Sequence, residues 1–491
     1  MFAQFRALGA NTARVFLPWS NVAPDPSSSQ RPNFNAADPN AYPAVNWAPF
    51  DNAVRNAGTY GIKVDFIIAG GAPQWAESQL PKPPGYLQYY AWKPSAKEWG
   101  LFMKAVGTRY SGHFIPAGAT SPLPAVRFWT IFNEPNFGED LGPQALGGSK
   151  VSVAPNMYRG LLNAGWNSLQ ATGHGHDRIL IGGYAARGIQ GGKYPGNFGQ
   201  TKPLLFIRTL YCVDKSYKQL HGKLAKQEGC PTSTRAYRRF KAQNPALFKA
   251  SGVSDHPYPD NGSPLTDGKG DPNWATFPDL SRLATVLDKV TRVYGSHKKF
   301  PIYNDEYGYI THPPAKAHYL SPATAAVDIN WAEFLSWKNP RVKSYMQYLV
   351  NDPTGASGPY AGFASGLIDP QGNKKATYFA YNLPVYMPKT SFSHKKSVEV
   401  WGDARPALFE RSFGAQSVQI QFQPGGHGAY STIKTVNITK PGGYFDLKMK
   451  FKSSGNVQLA YTYPSATLDP LLPVGVGGST IDSRSFGIKV R

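Results

Sequence analysis

The sequence predicts an α/β fold, a parallel (β/α)8 barrel lacking its first strand, with a C-terminal all-β sandwich. Three observations predict it. The chain has 491 residues, room for a barrel of about 250 residues or more and a smaller partner. Up to residue 385, short apolar runs alternate with segments of helical period, the pattern of a parallel α/β sheet. Beyond Pro384 the apolar residues recur at every second position instead. The expected division is therefore 1–385 for the barrel and 386–491 for the sandwich.

The strand candidates follow in order. They are Ala13 to Leu17, Lys63 to Ala69, Val126 to Phe132, Ile179 to Tyr184, Val253 to Tyr258, Pro301 to Asp305 and Ser344 to Val350. Helices fall between them. Trp99, Phe102, Met103, Val106 and Tyr110 recur at three- and four-residue steps, as do Val327, Trp331, Phe334 and Leu335. Leu283, Val286, Leu287, Val290 and Val293 form a third such series, with Asp279 placed to cap its start. This makes seven strands, one short of a closed barrel. Phe5, Leu8 and the turn Gly9-Ala10-Asn11 read as the tail of a first helix entering the second strand. An upstream start that carries the first strand and an export signal is the simplest expectation; a rearranged N-terminus is the alternative.

In the sandwich, Val418, Ile420 and Phe422 alternate with polar residues, and Tyr444 to Phe451 alternates again. Ser453 to Asn456 reads as a turn into Val457 to Tyr463, and Phe486 to Val490 as a last strand. Residues 186–252, between the fifth and sixth barrel strands, form a long connection of the kind that shapes clefts.

Composition narrows the function. Apolar residues make up 41% of the chain, enough for a sizeable core, and aromatics 13%, which suits sugar-binding clefts as well as an aromatic core. The net charge of +22 allows anionic partners. Its Lys and Arg are dispersed, however, with the densest group at Arg235, Arg238, Arg239 and Lys241 on a surface helix. No nucleic-acid module motif is present, and the expectation is a solvated surface with no nucleic-acid partner. No run of 18 apolar residues exists to span a membrane. The two cysteines, Cys212 and Cys230, lie outside any metal-binding spacing. A local disulfide and an oxidising compartment are expected, two free thiols being the alternative. His174-Gly175-His176-Asp177 lies in a Gly-rich loop before a strand, away from the active face, and is read as structural. No metal and no cofactor are expected, and nothing resembles a dinucleotide or phosphate loop.

Two strand ends carry chemistry. Phe128-Trp129-Thr130-Ile131-Phe132-Asn133-Glu134-Pro135 delivers Asn and Glu to the carboxyl end of an apolar strand, and Pro stops it. Pro301-Ile302-Tyr303-Asn304-Asp305-Glu306 ends another in an acid. Acids at the carboxyl ends of opposite barrel strands point across the central opening. Glycoside cleavage requires that pairing, one carboxyl protonating the leaving oxygen and the other attacking carbon or activating water. Asp305 should point the opposite way along its strand and be structural.

On these motifs and their order, most of residues 1–385 resembles the clan of retaining glycoside hydrolases that includes family 5 cellulases and family 39 xylosidases. The resemblance implies Glu134 as acid/base, Asn133 as ligand of the sugar 2-hydroxyl and Glu306 as nucleophile. It implies that Arg14 hydrogen-bonds the nucleophile, and that in Asp255-His256-Pro257-Tyr258 the tyrosine does the same while His256 contacts the acid/base or substrate. Gly70-Gly71-Ala72-Pro73-Gln74-Trp75 is similar to the Pro-x-Trp of family 39-like enzymes, which puts Trp75 under a sugar subsite, simple packing being the alternative. A tryptophan at the eighth-strand end is not obvious; Gln347, Tyr348 and Asn351 stand there. The expected function is a secreted, monomeric O-glycosyl hydrolase cleaving a β-linked oligo- or polysaccharide by double displacement. A carbohydrate-binding barrel without activity, a transglycosylase using the same site and a basic surface binder of anionic polymers are the rivals.

Overall fold

The computed structural model describes residues 1–78, 91–147, 149–189, 199–259, 261–266, 270–355, 358 and 361–491. Seven parallel strands form one sheet in sequential order. They are β1 (Thr12–Pro18), β2 (Lys63–Ala69), β3 (Phe128–Ile131), β4 (Arg178–Ala185), β5 (Gly252–His256), β6 (Ile302–Tyr307) and β7 (Val342–Gln347). Each predicted strand is present, with ends displaced by a few residues. Helices cover the outer face, among them Ala96–Arg109, Ala154–Ala171, Leu280–Arg292 and Pro322–Lys338. This is the layered arrangement of a (β/α)8 barrel with seven of its strands.

The inner strands explain themselves by composition. In β2, Val64 to Ala69 are all buried, because a parallel strand between two layers meets apolar surroundings on both faces. The edges differ. β7 is buried only at Val342, and β1 alternates irregularly, with Phe16 44% exposed. Between these two edges runs a cavity of about 570 Å³, bordered by Thr12, Arg14 and Phe16 on one side and Ser344, Met346 and Tyr348 on the other.

Two irregularities aim residues at the centre. β4 and β5 slip register between Gly182 and Tyr184, where Gly182 and Gly183 take φ of +103° and +66°. β6 and β7 slip between Asn304 and Tyr307. Such bulges break the inward–outward alternation of side chains.

Nine further strands form two antiparallel-rich sheets after the barrel. They run in order β13-β10-β8 and β12-β11-β14-β16-β9, with β15 on β14. Their spans are β8 (Val385–Tyr386), β9 (Ser391–Phe392), β10 (Val398–Asp403), β11 (Ser417–Pro424), β12 (Ser431–Asn437), β13 (Tyr444–Met449), β14 (Gly455–Thr462), β15 (Thr480–Asp482) and β16 (Phe486–Val490). Val418, Ile420, Phe422, Val457, Leu459 and Ile488 share a second core here. The expected turn at Ser453 to Asn456 is shorter, since Gly455 and Asn456 already pair within β14.

Buried polar contacts brace these sheets on the barrel helices. Arg405 donates to both oxygens of Glu333 at 2.6 Å, and Tyr444 to Glu333 at 3.1 Å. Arg6 pairs with Asp469 at 2.8 Å, and Tyr463 donates to the Ala7 carbonyl at 2.5 Å. One expectation is corrected: Asp279 precedes helix Leu280–Arg292 without capping it by its side chain, which instead accepts from Thr276 and pairs with Arg282.

Candidate active site

The chain leaves β3 through a strained turn. Phe132 and Glu134 adopt left-handed backbone, φ of +76° and +38°, each costing on the order of 1–3 kcal/mol. Hydrogen bonds hold the turn: Phe132 N–H donates to the Ile68 carbonyl at 2.8 Å, and Glu134 N–H to the Gly183 carbonyl at 2.9 Å. The bulge in β4 is what turns that carbonyl toward Glu134. The result is a half-exposed Glu134 side chain at the carboxyl end of the sheet, beside a buried Asn133.

Glu306 arrives from the end of β6. Arg14, on β1, donates one guanidinium nitrogen to Glu306 Oε2 and the other to Asn133 Oδ1 at 2.8 Å. Tyr258 donates its hydroxyl to Glu306 Oε1 at 2.8 Å. His256 Nδ1 lies 2.9 Å from Glu134 Oε1 and 3.7 Å from Glu306 Oε2, and its Nε2 is 3.2 Å from Arg14. Five residues predicted for the site therefore converge with Glu306: Arg14, Asn133, Glu134, His256 and Tyr258. One carboxylate oxygen of Glu134, one ring nitrogen of His256 and one carboxylate oxygen of Glu306 lie within 4.8 Å of one another.

The electrostatics separate the groups. Burial opposes ionisation of Glu306, but the charges of His256 and Arg14 and the hydrogen bonds from Tyr258 and Arg14 outweigh it and hold its carboxyl below the usual range. Burial also opposes the imidazolium of His256; Glu306, the hydrogen bond to Glu134 and Asp305 overcome it and raise its pKa to about 9. Burial and the Glu306 charge push the Tyr258 phenol well up, so it remains a donor.

Two sequence expectations need correction. Asp305 does not point away. It lies under the site, accepting from Ser254 at 2.7 Å and standing 3.6 Å from His256 Nε2. It shares the inward face of β6 with Tyr303, two residues earlier, which lines the same cavity. Trp75 does not floor a subsite. It is 8% exposed, donates its indole N–H to the Pro24 carbonyl at 3.0 Å and packs edge-on to Trp19 and Phe34. The loop after β1 folds over it, which the local sequence did not announce.

The site also holds Asp140 and Asp65, which motif reading missed, and Tyr348, which stands at the eighth-strand end in place of the clan's tryptophan. Asp140 hydrogen-bonds Asn133 and senses the charge of Glu134; burial first, then Glu134, pushes its carboxyl well up. Tyr348 packs edge-on to Tyr258 and Phe363, with centroids at 6.3 and 5.5 Å, and feels the charges of Glu306, Arg14 and Glu134. Asp65 sits beneath Arg14, bonded by Thr130 at 3.0 Å and raised to about 8 by burial and Asp305. Cys212 and Cys230 are joined in a disulfide, far from this cluster in the chain.

Among the described residues, Glu134, His256 and Glu306 form one group with metal-ligand potential. Their atoms already face one another or a donor: both Glu306 oxygens accept from Arg14 and Tyr258, and Arg14 brings its positive charge into the same space. His174 is likewise satisfied, by Asp177 at 2.6 Å and the Gly107 carbonyl at 2.9 Å.

The arrangement can therefore hold one carboxylate ionised while a second, bonded to an imidazole, faces it across an opening. No protein-family model and no curated protein matches this sequence. Among solved structures, the chain is similar to a family 39 glycoside hydrolase from Bacteroides cellulosilyticus WH2, at 13% identity and TM-score 0.46 over 91% of this chain and 75% of that one. It is similar to a glucosidase from Croceicoccus marinus at 12% identity and TM-score 0.47 over 92% and 89%. It is also similar to a family 1 β-glucosidase from Thermotoga maritima at 13% identity and TM-score 0.44 over 78% and 84%.

Proposed function

We propose that this protein is a retaining O-glycosyl hydrolase acting on β-linked glycans. The observation that carries the reading is the Glu134–Glu306 pair, with facing oxygens within 4.8 Å and Glu306 held ionised by Arg14 and Tyr258. Carboxyl groups about 5 Å apart suit double displacement, whereas inversion needs room for a water between groups about 6.5–9.5 Å apart. Glu306 attacks the anomeric carbon while Glu134 gives a proton to the leaving oxygen. Glu134 then takes a proton from the water that releases the sugar from Glu306. Asn133, fixed by Arg14 and Asp140, presents its amide to the sugar, and Tyr258, Tyr348 and Phe363 wall the opening.

In this reading residues 1–385 carry the chemistry and 386–491 brace the barrel. Secretion accords with the Cys212–Cys230 disulfide. Among the described residues no helix is long and apolar enough to cross a membrane. The rival is a barrel that binds sugar without turning it over.

Aryl β-glycosides and β-glucan, xylan and mannan polymers offered to the protein and to Glu306→Ala decide between them. The hydrolase reading expects turnover that the variant loses, and a first product of retained anomeric configuration. Sugar binding without turnover by a folded protein sinks it in favour of the rival.

A further inference from the structure

The positive charge is unevenly placed. Elsewhere many cations pair with acids: Arg109 with Asp51, Arg341 and Lys299 with Asp288, Lys202 with Asp271, Lys338 with Glu399. Between Tyr211 and Ala250, by contrast, every exposed Lys, Arg, Asp or Glu is a cation. The two acids of this stretch are withdrawn. Glu228 is buried, and half-buried Asp214 accepts from the backbone of Ser216 and Lys218. Lys215, Lys218, Lys223 and Lys226 project from the loop that the disulfide closes. Arg235, Arg238, Arg239 and Lys241 project from helix Thr234–Gln243. Among the described residues none of these has an acid within salt-bridge distance.

The platform beneath is built rather than loose. Tyr237 and Phe240 form the buried face of the helix. Tyr237 donates to the Leu220 carbonyl at 2.7 Å, and Phe240 stacks on Tyr294 at 4.7 Å. Buried Arg159 ties the loop down, donating to the carbonyls of Leu210 and Gly229 at 2.7 Å each. Holding so many like charges on a rigid surface is unfavourable without a counter-charge, since neighbours at helical spacing repel.

We propose that this face is a docking surface for an acidic polysaccharide, one bearing carboxylate or sulfate groups. Two features select that partner. The platform offers charge without an exposed aromatic: Tyr237 and Phe240 are buried, and Tyr217 lies under the Lys289 ammonium at 4.9 Å. Single-stranded nucleic acid sites stack bases on such rings. Among the large apolar residues only Leu224, at 42%, is exposed here, too little to anchor in a bilayer. The docking surface does not depend on the chemistry proposed for Glu134 and Glu306.

The test measures binding of the full chain to polygalacturonate, to neutral dextran, to duplex DNA and to phosphatidylcholine vesicles containing phosphatidylserine, from about 50 to about 200 mM salt. One variant combines Arg235→Ser, Arg238→Ser, Arg239→Ser and Lys241→Ser. A control removes four exposed cations of the β sheets instead: Lys389→Ser, Lys395→Ser, Lys396→Ser and Lys452→Ser. The expected result is salt-sensitive binding to polygalacturonate and not to dextran. The helix variant should lose about tenfold or more with a shallower salt slope, and the control only a few-fold. Circular dichroism checks that the helix variant keeps its fold. Equal losses in both variants, no binding, or tighter binding to DNA or vesicles would overturn the proposal. Hydrolysis plays no part in the readout, so failure here and failure of the hydrolase reading are separate results.

Discussion

Nδ1 of His256 stands 2.9 Å from Oε1 of Glu134, on a fully buried ring whose other nitrogen faces Arg14 and Asp305. One imidazole thus ties the turn after β3 to the interior of the barrel, and its protonation is felt by both glutamates. Burial alone would discharge it; the acids around it prevent that.

This has a consequence for stability. The folded pKa of His256, about 9, is above the ordinary 6.5. Its contribution is therefore fully present below pH 6.5 and lost as pH rises through about 9. Denaturant unfolding of the protein and of His256→Asn should differ most below pH 6.5 and progressively less as pH rises through about 9. A difference that stays constant across that range would show that folding leaves the ring at its ordinary pKa.

Arg14 and Tyr258 keep Glu306 ionised by donating to its two oxygens. Arg14→Gln should lower kcat/KM on the order of a hundredfold and move the acidic limb of its pH profile upward. Tyr258→Phe should move the same limb in the same direction by less. Unmoved limbs in both variants would separate these residues from the nucleophile.

If Glu134 donates the proton, its loss must matter in proportion to the basicity of the leaving group. Glu134→Ala should cost roughly 10²–10⁴-fold on alkyl glycosides and far less on dinitrophenyl glycosides. Equal losses on both would remove Glu134 from the acid role.

Asp140 holds Asn133 from the side opposite Arg14. Because burial pushes its carboxyl toward the neutral form and the amide keeps an oxygen that accepts from Asn133, Asp140→Asn should preserve both fold and activity. Asp140→Ala strands the Asn133 amide and should cost about 1–3 kcal/mol, with a fall in kcat/KM. Matching behaviour of the two variants would mean that the hydrogen bond does nothing.

The Cys212–Cys230 bridge spans a sequence separation of 18. Chain entropy assigns a loop of that size about 3 kcal/mol. The double variant Cys212→Ala, Cys230→Ala should unfold at lower denaturant, and charge on the Lys215–Lys226 loop should make that loss smaller at high salt.

Local sequence determined what depends on near neighbours. The strand ends that carry Glu134 and Glu306 were legible because an apolar run stopped by Asn-Glu-Pro or ending in an acid has the same consequence in any parallel sheet. His256 and Tyr258 were legible only through the resemblance of Asp255-His256-Pro257-Tyr258 to the clan's strand end, whereas the alternation of β11 and β16 was legible from the residues themselves. What the tertiary structure alone decided depends on register and on loops packing at a distance. Asp305 faces the barrel interior with Tyr303, and only the packing of β6 among its neighbours shows which side of that strand is the inner one. Trp75 is enclosed because residues such as Pro24 and Phe34 fold over it, so its ring serves the core. Asp140 and Phe363 come from connections with no periodic pattern, and with Tyr348 they join the site only once β3, β5 and β7 stand side by side. β12 escaped notice because nearly all of its side chains are exposed, and an edge strand needs no apolar alternation when backbone pairing to β11 holds it.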